Sequence, residues 1–436
     1  MKKRDLELDA GRAAGLLVLR HGAEAHAPAP ANLTQFVPSR LRGKRVGIAV
    51  LSTYPEDPRP RRAAEAFSEE GMIVDYVCIA DGRAAWREQV NGITVFRVPI
   101  THRRGGKVGY VWEYLGFIAA ASAIFAARCC RRRYDLIYIN NMPDVLVISA
   151  LPPKLLGSKV ILDLHDPMPE LVETIFSASA GSKAVRLMKW LEKWSMARAD
   201  RVLTPNAAFQ RLFGSRSCPA EKIHVVMNSP DEQIFRFRPA QCAPATRDRN
   251  RPFIIMYHGS LVERNGVDVA VAALDRVLPR IPEAQLHIYG KPSPFLRAVL
   301  QSAESRGIQR KIFCLGDKCL EDIVRAICSS DVGVIPNQRS VFSQINMPTR
   351  IFEYLALGKP VIAPRTEGIR DYFGPESLLF FEAGNAQELA EQIEFVGNHP
   401  REAWQITQRG QQVYQAHLWS GERRTLLNVV SGLLDN

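Results

Sequence analysis

The first regular apolar run is Arg45-Val46-Gly47-Ile48-Ala49-Val50-Leu51, closed by Ser52-Thr53-Tyr54-Pro55. A short run with little charge, bounded by turn residues, predicts a strand buried on both faces, as in parallel sheets. A helix is expected near 60–70, ending at Gly71, and Ile73–Ile79 is expected as the next strand. Further strands are expected at 93–98, 135–140, 159–164, 201–204 and 223–226, with helical segments between them. Strand–helix alternation at this spacing predicts a doubly wound α/β sheet.

Around 236–252 the pattern breaks into Arg and Pro residues, a polar linker. Alternation restarts with strands at 253–257, 285–289, 311–315, 332–335 and 360–363. Most end in Gly or Pro and then a polar turn. Open α/β sheets bind ligands at the carboxyl ends of their strands, so the second half is expected to present a row of ligand-facing turns. Residues 1–43 are rich in Ala, His and Pro with weak periodicity and read as a loose extension. The expected division is a first domain at 44–236, a linker at 237–252, a second domain at 253–405 and terminal helices at 406–436.

The length of 436 residues and the 46% apolar content suit two globular cores. The net charge of +12 favours anionic partners without choosing among them. Basic residues are spread out, with no aromatic-studded basic stretch, so nucleic acid is not an expected partner. Eight cysteines without a Cys-x-x-Cys spell neither a zinc site nor a disulfide framework, and a reducing cytoplasm is expected. The basic start, Met1 to Arg4, is interrupted by acidic residues and does not read as a signal peptide. Residues 108–127 carry one charge, Glu113, and are flanked by Arg103, Arg104, Lys107, Arg128 and Arg131–Arg133. Three readings stay open: an ordinary packed helix, a helix docked on an anionic membrane surface, and a membrane span.

The sharpest local signal runs from Asn346 to Ala363. Pro348 suits a helix start, Ile351, Tyr354 and Leu355 share one face, and Gly358 ends the helix before a buried strand. Glu353 lies early in that helix, either binding a pair of sugar hydroxyls or merely suiting the helix dipole. In the first half, His165 and Asp166 end a strand. Asp166 before Pro167 reads either as an N-cap or as a group able to take a hydroxyl proton.

Pro348–Ala363 resembles the nucleotide-binding signature of the family-four retaining glycosyltransferases of the GT-B fold. Tyr257–Asp268, Leu286–Gly290 and Ser330–Pro336 resemble that family's second domain. Ser52–Arg59 and Ile161–Glu170 resemble its opening loop and acceptor-side loop, and the similarity spans roughly 44–430. The resemblance implies two Rossmann-like domains facing across a cleft, with the terminal helix crossing back to the first. It implies a nucleotide-sugar donor, UDP- or GDP-linked, as substrate, with neither cofactor nor metal. Donor residues would be Gly259, Ser260, Glu263, Gly290, Lys291, Gly316, Lys318, Asn346 and Glu353, with Glu353 on the ribose. Arg264 would face the pyrophosphate, whose growing charge cations and N–H groups stabilise. Arg264 also reads as a surface residue paired with Glu263 or Asp268. His165 and Asp166 would serve catalysis, and Tyr54, Arg59 and Glu170 the acceptor side.

The sequence departs from the family pattern at three places. Ile345 stands where a first glutamate is common, Ser260 and Asn265 where a phosphate-binding Arg and Lys are common, and the first loop lacks its glycine pair. Donor identity is therefore open. The expected activity is retaining sugar transfer to a lipid-linked saccharide or polysaccharide precursor, cytoplasmic and peripheral to the inner face of the membrane. A nucleotide-sugar epimerase and a glycosyltransferase-like binding protein without turnover are the other two readings.

Overall fold

The computed structural model describes residues 40–435 apart from 81, 83–84, 101–105, 177–178 and 242–249, and the side chains of 106–110 are likewise outside it. Residues 1–39 of the expected extension, Arg103, Arg104 and the middle of the linker thus lie outside the described residues, while Leu41, within the expected extension, is buried in the first domain's core.

The first sheet contains β1 (Arg45–Ala49), β2 (Ile73–Ile79), β3 (Arg87–Val90), β4 (Ile93–Val98), β5 (Leu136–Asn140), β6 (Lys159–Asp163), β7 (Arg201–Thr204) and β8 (Ile223–Val225), in the order β3-β4-β2-β1-β5-β6-β7-β8. All pairs are parallel except β3 with β4. The second sheet contains β9 (Phe253–His258), β10 (Ala284–Tyr289), β11 (Ile312–Gly316), β12 (Val332–Val334), β13 (Val361–Pro364) and β14 (Leu379–Phe381), in the order β11-β10-β9-β12-β13-β14, all parallel. Both orders reverse beside the first strand, between β1 and β5 and between β9 and β12. Those switch points open a crevice at the strands' carboxyl ends.

The sequence reading omits β3 and β14. β3 is a largely exposed, polar edge strand joined to β4 through Asn91-Gly92, both at positive φ. Asn-Gly is the favoured two-residue hairpin turn, so the signal was in the sequence.

Each sheet is covered on both faces. On one face of the first sheet, helix α1 (Gly106–Arg131) lays Phe117, Ala121 and Phe125 into the core. Gly47 makes this packing close: a Cβ there would lie 2.8 Å from the Phe125 ring. On the other face, Phe67, Tyr76 and Tyr138 meet Leu426, Leu427 and Val430 of the last helix, α2 (Trp419–Leu434). The preceding helix, Pro400–Ala416, stays with the second domain, where Tyr414 packs 5.5 Å from the Phe352 ring. The chain therefore crosses back at His417-Leu418, some ten residues later than expected. Glu422 fixes the crossing: it accepts the Met227 N–H at 2.8 Å and pairs with His417 at 3.1 Å.

A polar seam joins the domains near the cleft. The Ala207 N–H donates to the Tyr372 hydroxyl at 2.9 Å, and Arg211 pairs with Glu367 and Asp371. Phe342 of the second domain is buried in the first domain's core, 6.2 Å from the Phe209 ring.

Behind the cleft, Arg59 forms a bidentate pair with fully buried Asp163, which also accepts from the Tyr138 hydroxyl at 2.6 Å. Burial alone would raise the Asp163 pKa, but the Arg59 charge and the hydrogen bonds to the carboxylate hold it below its usual value. Asp163→Asn should cost about 3–5 kcal/mol, the loss expected when one partner of a buried pair is removed. Thermal unfolding at pH 7 should register it as a lowered transition temperature. Because the folded pKa is depressed, this contribution is present above the unfolded value of about 3.9. It is lost as pH falls through the folded pKa, so the gap between wild type and variant should close in acid.

Candidate active site

The second domain's half of the cleft is a ladder of strand-end turns after β9, β10 and β11. The Gly259 N–H donates to the Tyr289 carbonyl at 3.0 Å, and the Gly290 N–H donates to the Gly316 carbonyl at 2.9 Å. The glycines are required by space. A Cβ on Gly290 would lie 2.2 Å from the Gly259 carbonyl oxygen, and one on Gly266 would lie 1.8 Å from the Pro336 carbonyl oxygen. The turn after β9 is thus pressed against the turn after β12, across the switch point. Gly259 serves by lacking a side chain, since its own N–H is already bonded.

Glu353 points back to this turn. Its Oε2 lies 2.6 Å from His258 Nε2, so it is held at the cleft and is not a solvent-facing helix residue. Arg264 is half-buried and, among the described contacts, pairs with neither Glu263 nor Asp268. Asp268 is instead bonded by Gln338 at 2.8 Å. Arg350 is a cation that the sequence reading left without a role. It donates to the His258 carbonyl at 2.6 Å, and its guanidinium would lie 3.1 Å from a Cβ on Gly259. Its place at the start of the Arg350–Ala356 helix, within the motif, was the available signal. Asn265 bonds the Ser260 carbonyl at 2.8 Å and so braces the turn. Glu263, Ser260 and Lys318 are exposed, Asn346 is half-buried, and Lys291 lies 3.8 Å from Asp317 in solvent.

Across the cleft, His165 and Asp166 follow β6. Asn141, which the sequence reading missed, organises them: it accepts the His165 N–H at 3.0 Å and donates to the Asp166 carbonyl at 2.7 Å. Asn141 also donates to Asp144, whose pKa burial and Glu192 push up to about 7. His165 Nε2 is buried without a hydrogen-bond partner among the described residues. Burial raises the Asp166 pKa, while His165, Arg264 and Arg59 oppose the rise. The influence of Arg264 is the electrostatic sign that the two halves face one another.

Three acceptor-side expectations meet a different arrangement. Arg59 is spent on Asp163, as described. Tyr54 is buried against Tyr76, ring centroids 4.8 Å apart. Glu170 is buried and bidentate with Arg216, which also holds Glu192. The partners of Arg59 and Glu170 lie far away in the chain, so the cost of burying these two charges is met by pairs that local sequence does not display.

Residues 57–229 match the family described as the Glycosyl transferase 4-like domain, and residues 252–398 match Glycosyl transferases group 1. A search of curated protein sequences finds no match. Among solved structures, sucrose-phosphate synthase from Thermosynechococcus elongatus is 18% identical with a TM-score of 0.73, covering 90% of this chain and 99% of its own. Anabaena HepE in complex with UDP-glucose is 15% identical with a TM-score of 0.66, covering 89% and 99%. The alpha,alpha-trehalose 6-phosphate synthase from Burkholderia multivorans is 15% identical with a TM-score of 0.65, covering 90% and 98%. The fold is GT-B: two Rossmann-like domains about a cleft. The chain belongs to the group 1 glycosyltransferases of the family-four type and is an enzyme of sugar transfer from a nucleotide-sugar donor.

Gly290→Ala should displace the Gly259 turn and weaken binding of the donor nucleotide while the protein stays folded. A shift of about 1 Å at such a site can also cost up to about a hundredfold in transfer rate. Titration calorimetry with UDP, beside a circular dichroism spectrum of the variant, measures this.

Proposed function

We propose that the protein transfers a sugar from a UDP-sugar to a membrane-held saccharide acceptor, with retention of anomeric configuration. The observation that carries the reading is Arg350 against the Gly259 turn, with Arg264 near enough to Asp166 on the facing domain to oppose the rise of its pKa. The pyrophosphate leaves with growing negative charge, and the two guanidinium groups beside its turn stabilise that charge more as the bond breaks. Glu353 takes the ribose hydroxyls. The unpartnered His165 nitrogen bonds the transferred sugar, and Asp166, kept in a partly buried setting, accepts the acceptor hydroxyl's proton. The UDP complexes of Anabaena HepE support uridine as the base.

Retention follows if acceptor and leaving group share one face of the sugar. The electrostatic influence of Arg264 on Asp166, which brings the proton acceptor near a cation assigned to the leaving group, supports that geometry. A donor panel of UDP-, GDP- and ADP-sugars, followed by proton NMR of the product, checks both points. The expected outcome is turnover with a UDP-sugar and an anomeric coupling unchanged from the donor's. No turnover with any donor, or an inverted product, contradicts the reading.

The outer surface of the first domain supports the membrane-held acceptor. Helix α1 is long and apolar enough to cross a membrane by length and composition. Its inner face, however, packs on the sheet through Phe117 and Phe125, which a span would strip away. The outward Val111, Trp112 and Leu115 are exposed, Trp112 by 69%, and Arg131–Arg133 follow in solvent. On the Lys183–Arg198 helix, which like α1 packs against Asp144–Ala150, Leu187 and Trp190 are exposed beside Lys183, Arg186 and Lys193. Exposed Trp with flanking cations suits the boundary of an anionic bilayer, with the protein lying on the cytoplasmic leaflet. Flotation with phosphatidylglycerol vesicles tests this. Replacing Arg131, Arg132 and Arg133 by Ala should weaken binding by about 1 kcal/mol per charge, and Trp112→Ser with Trp190→Ser should weaken it further. Equal flotation of all variants contradicts the membrane part alone.

A further inference from the structure

His258 is the last residue of β9, next to the Gly259 turn, and its side chain is buried. Its Nδ1 lies 2.9 Å from the Tyr354 hydroxyl, and that hydroxyl lies 2.9 Å from the Met256 carbonyl oxygen. A carbonyl oxygen only accepts, and a tyrosine hydroxyl has one proton. That proton goes to Met256, so Nδ1 must donate to the hydroxyl oxygen. Nε2 then faces Glu353 Oε2 at 2.6 Å, a separation that requires a proton between them and is as short as a charge-assisted bond. The ring is further fixed by an edge contact with Tyr354, centroids 5.1 Å apart, and the backbone by the bond from Arg350 to the His258 carbonyl.

We propose that His258 is a positioning residue for nucleotide recognition: it pins one oxygen of Glu353 so that the other is aimed at the ribose diol. The inference rests on the ribose role of Glu353 given above. A glutamate on a helix surface has three rotatable bonds, and ordering it on binding costs affinity. A carboxylate already held by the imidazole has less to lose. Strand β9 thus contributes twice at one end: its last side chain sets the ribose clamp, and the next residue opens the phosphate turn. A helix dipole or simple burial would not require the doubly bonded ring. Neither the Glu353 motif nor the Gly259 turn identifies His258 by itself, because the connection runs between residues 95 positions apart.

The test is the ratio of dissociation constants for 2′-deoxy-UDP and UDP, measured by calorimetry on the full chain. The ratio cancels any general weakening of the site. Wild type should prefer UDP by about tenfold, the worth of a hydrogen bond to a charged group. Glu353→Ala should bring the ratio close to one. His258→Phe, which keeps the ring and removes the donors, and His258→Leu should do the same, while His258→Gln, which keeps an N–H at similar reach, should retain most of the preference. If Glu353→Ala abolishes the preference but Phe and Leu at 258 leave it intact, the positioning role is overturned and the ribose role of Glu353 stands. If Glu353→Ala itself leaves the ratio at its wild-type value, the ribose reading fails and this inference falls with it.

Discussion

Everything in this molecule depends on two parallel sheets holding their carboxyl edges against each other. A parallel sheet gathers its strand-end turns along one edge, but a single edge offers only half of a transfer site. The seam of Ala207 with Tyr372, of Arg211 with Glu367 and Asp371, and of Phe342 in the opposite core fixes the second edge across from the first. The crossing at His417-Leu418, tied by Glu422 to Met227, adds a second connection.

The two walls differ in chemistry for physical reasons. The second domain's wall has little side-chain bulk at its turns, because Gly266 and Gly290 are pressed against neighbouring backbone and Gly259 against the Arg350 side chain. Backbone and cations can therefore come close to a diphosphate there. The first domain's wall keeps its groups poised: Asn141 grips the His165-Asp166 turn, and the imidazole nitrogen is left without an internal partner. The Arg59–Asp163 pair holds the end of β6, from which His165 and Asp166 follow.

Most strands were legible because buried parallel strands are written as short apolar runs, whereas β14, only Leu379–Phe381, is too short a run to stand out. β3 escaped because its residues face solvent and carry no apolar period. The sequence shows which residues can carry charge but not where their partners lie. Glu170 meets Arg216 across 46 residues, and Arg59 meets Asp163 across 104. Both looked free and are not. Glu353 was visible through its motif, whereas Arg350 stood in the same string without a visible task. Asn141 grips the His165-Asp166 turn through that turn's backbone N–H and carbonyl groups, and no residue pattern encodes that.

The most direct test of the account is a crystal structure of the protein with a bound UDP-sugar. The account expects the pyrophosphate against the Gly259–Ser260 turn within reach of Arg264 and Arg350, the ribose on Glu353, and the sugar facing His165 across the cleft. A diphosphate bound elsewhere, or a sugar turned away from the His165-Asp166 wall, contradicts it.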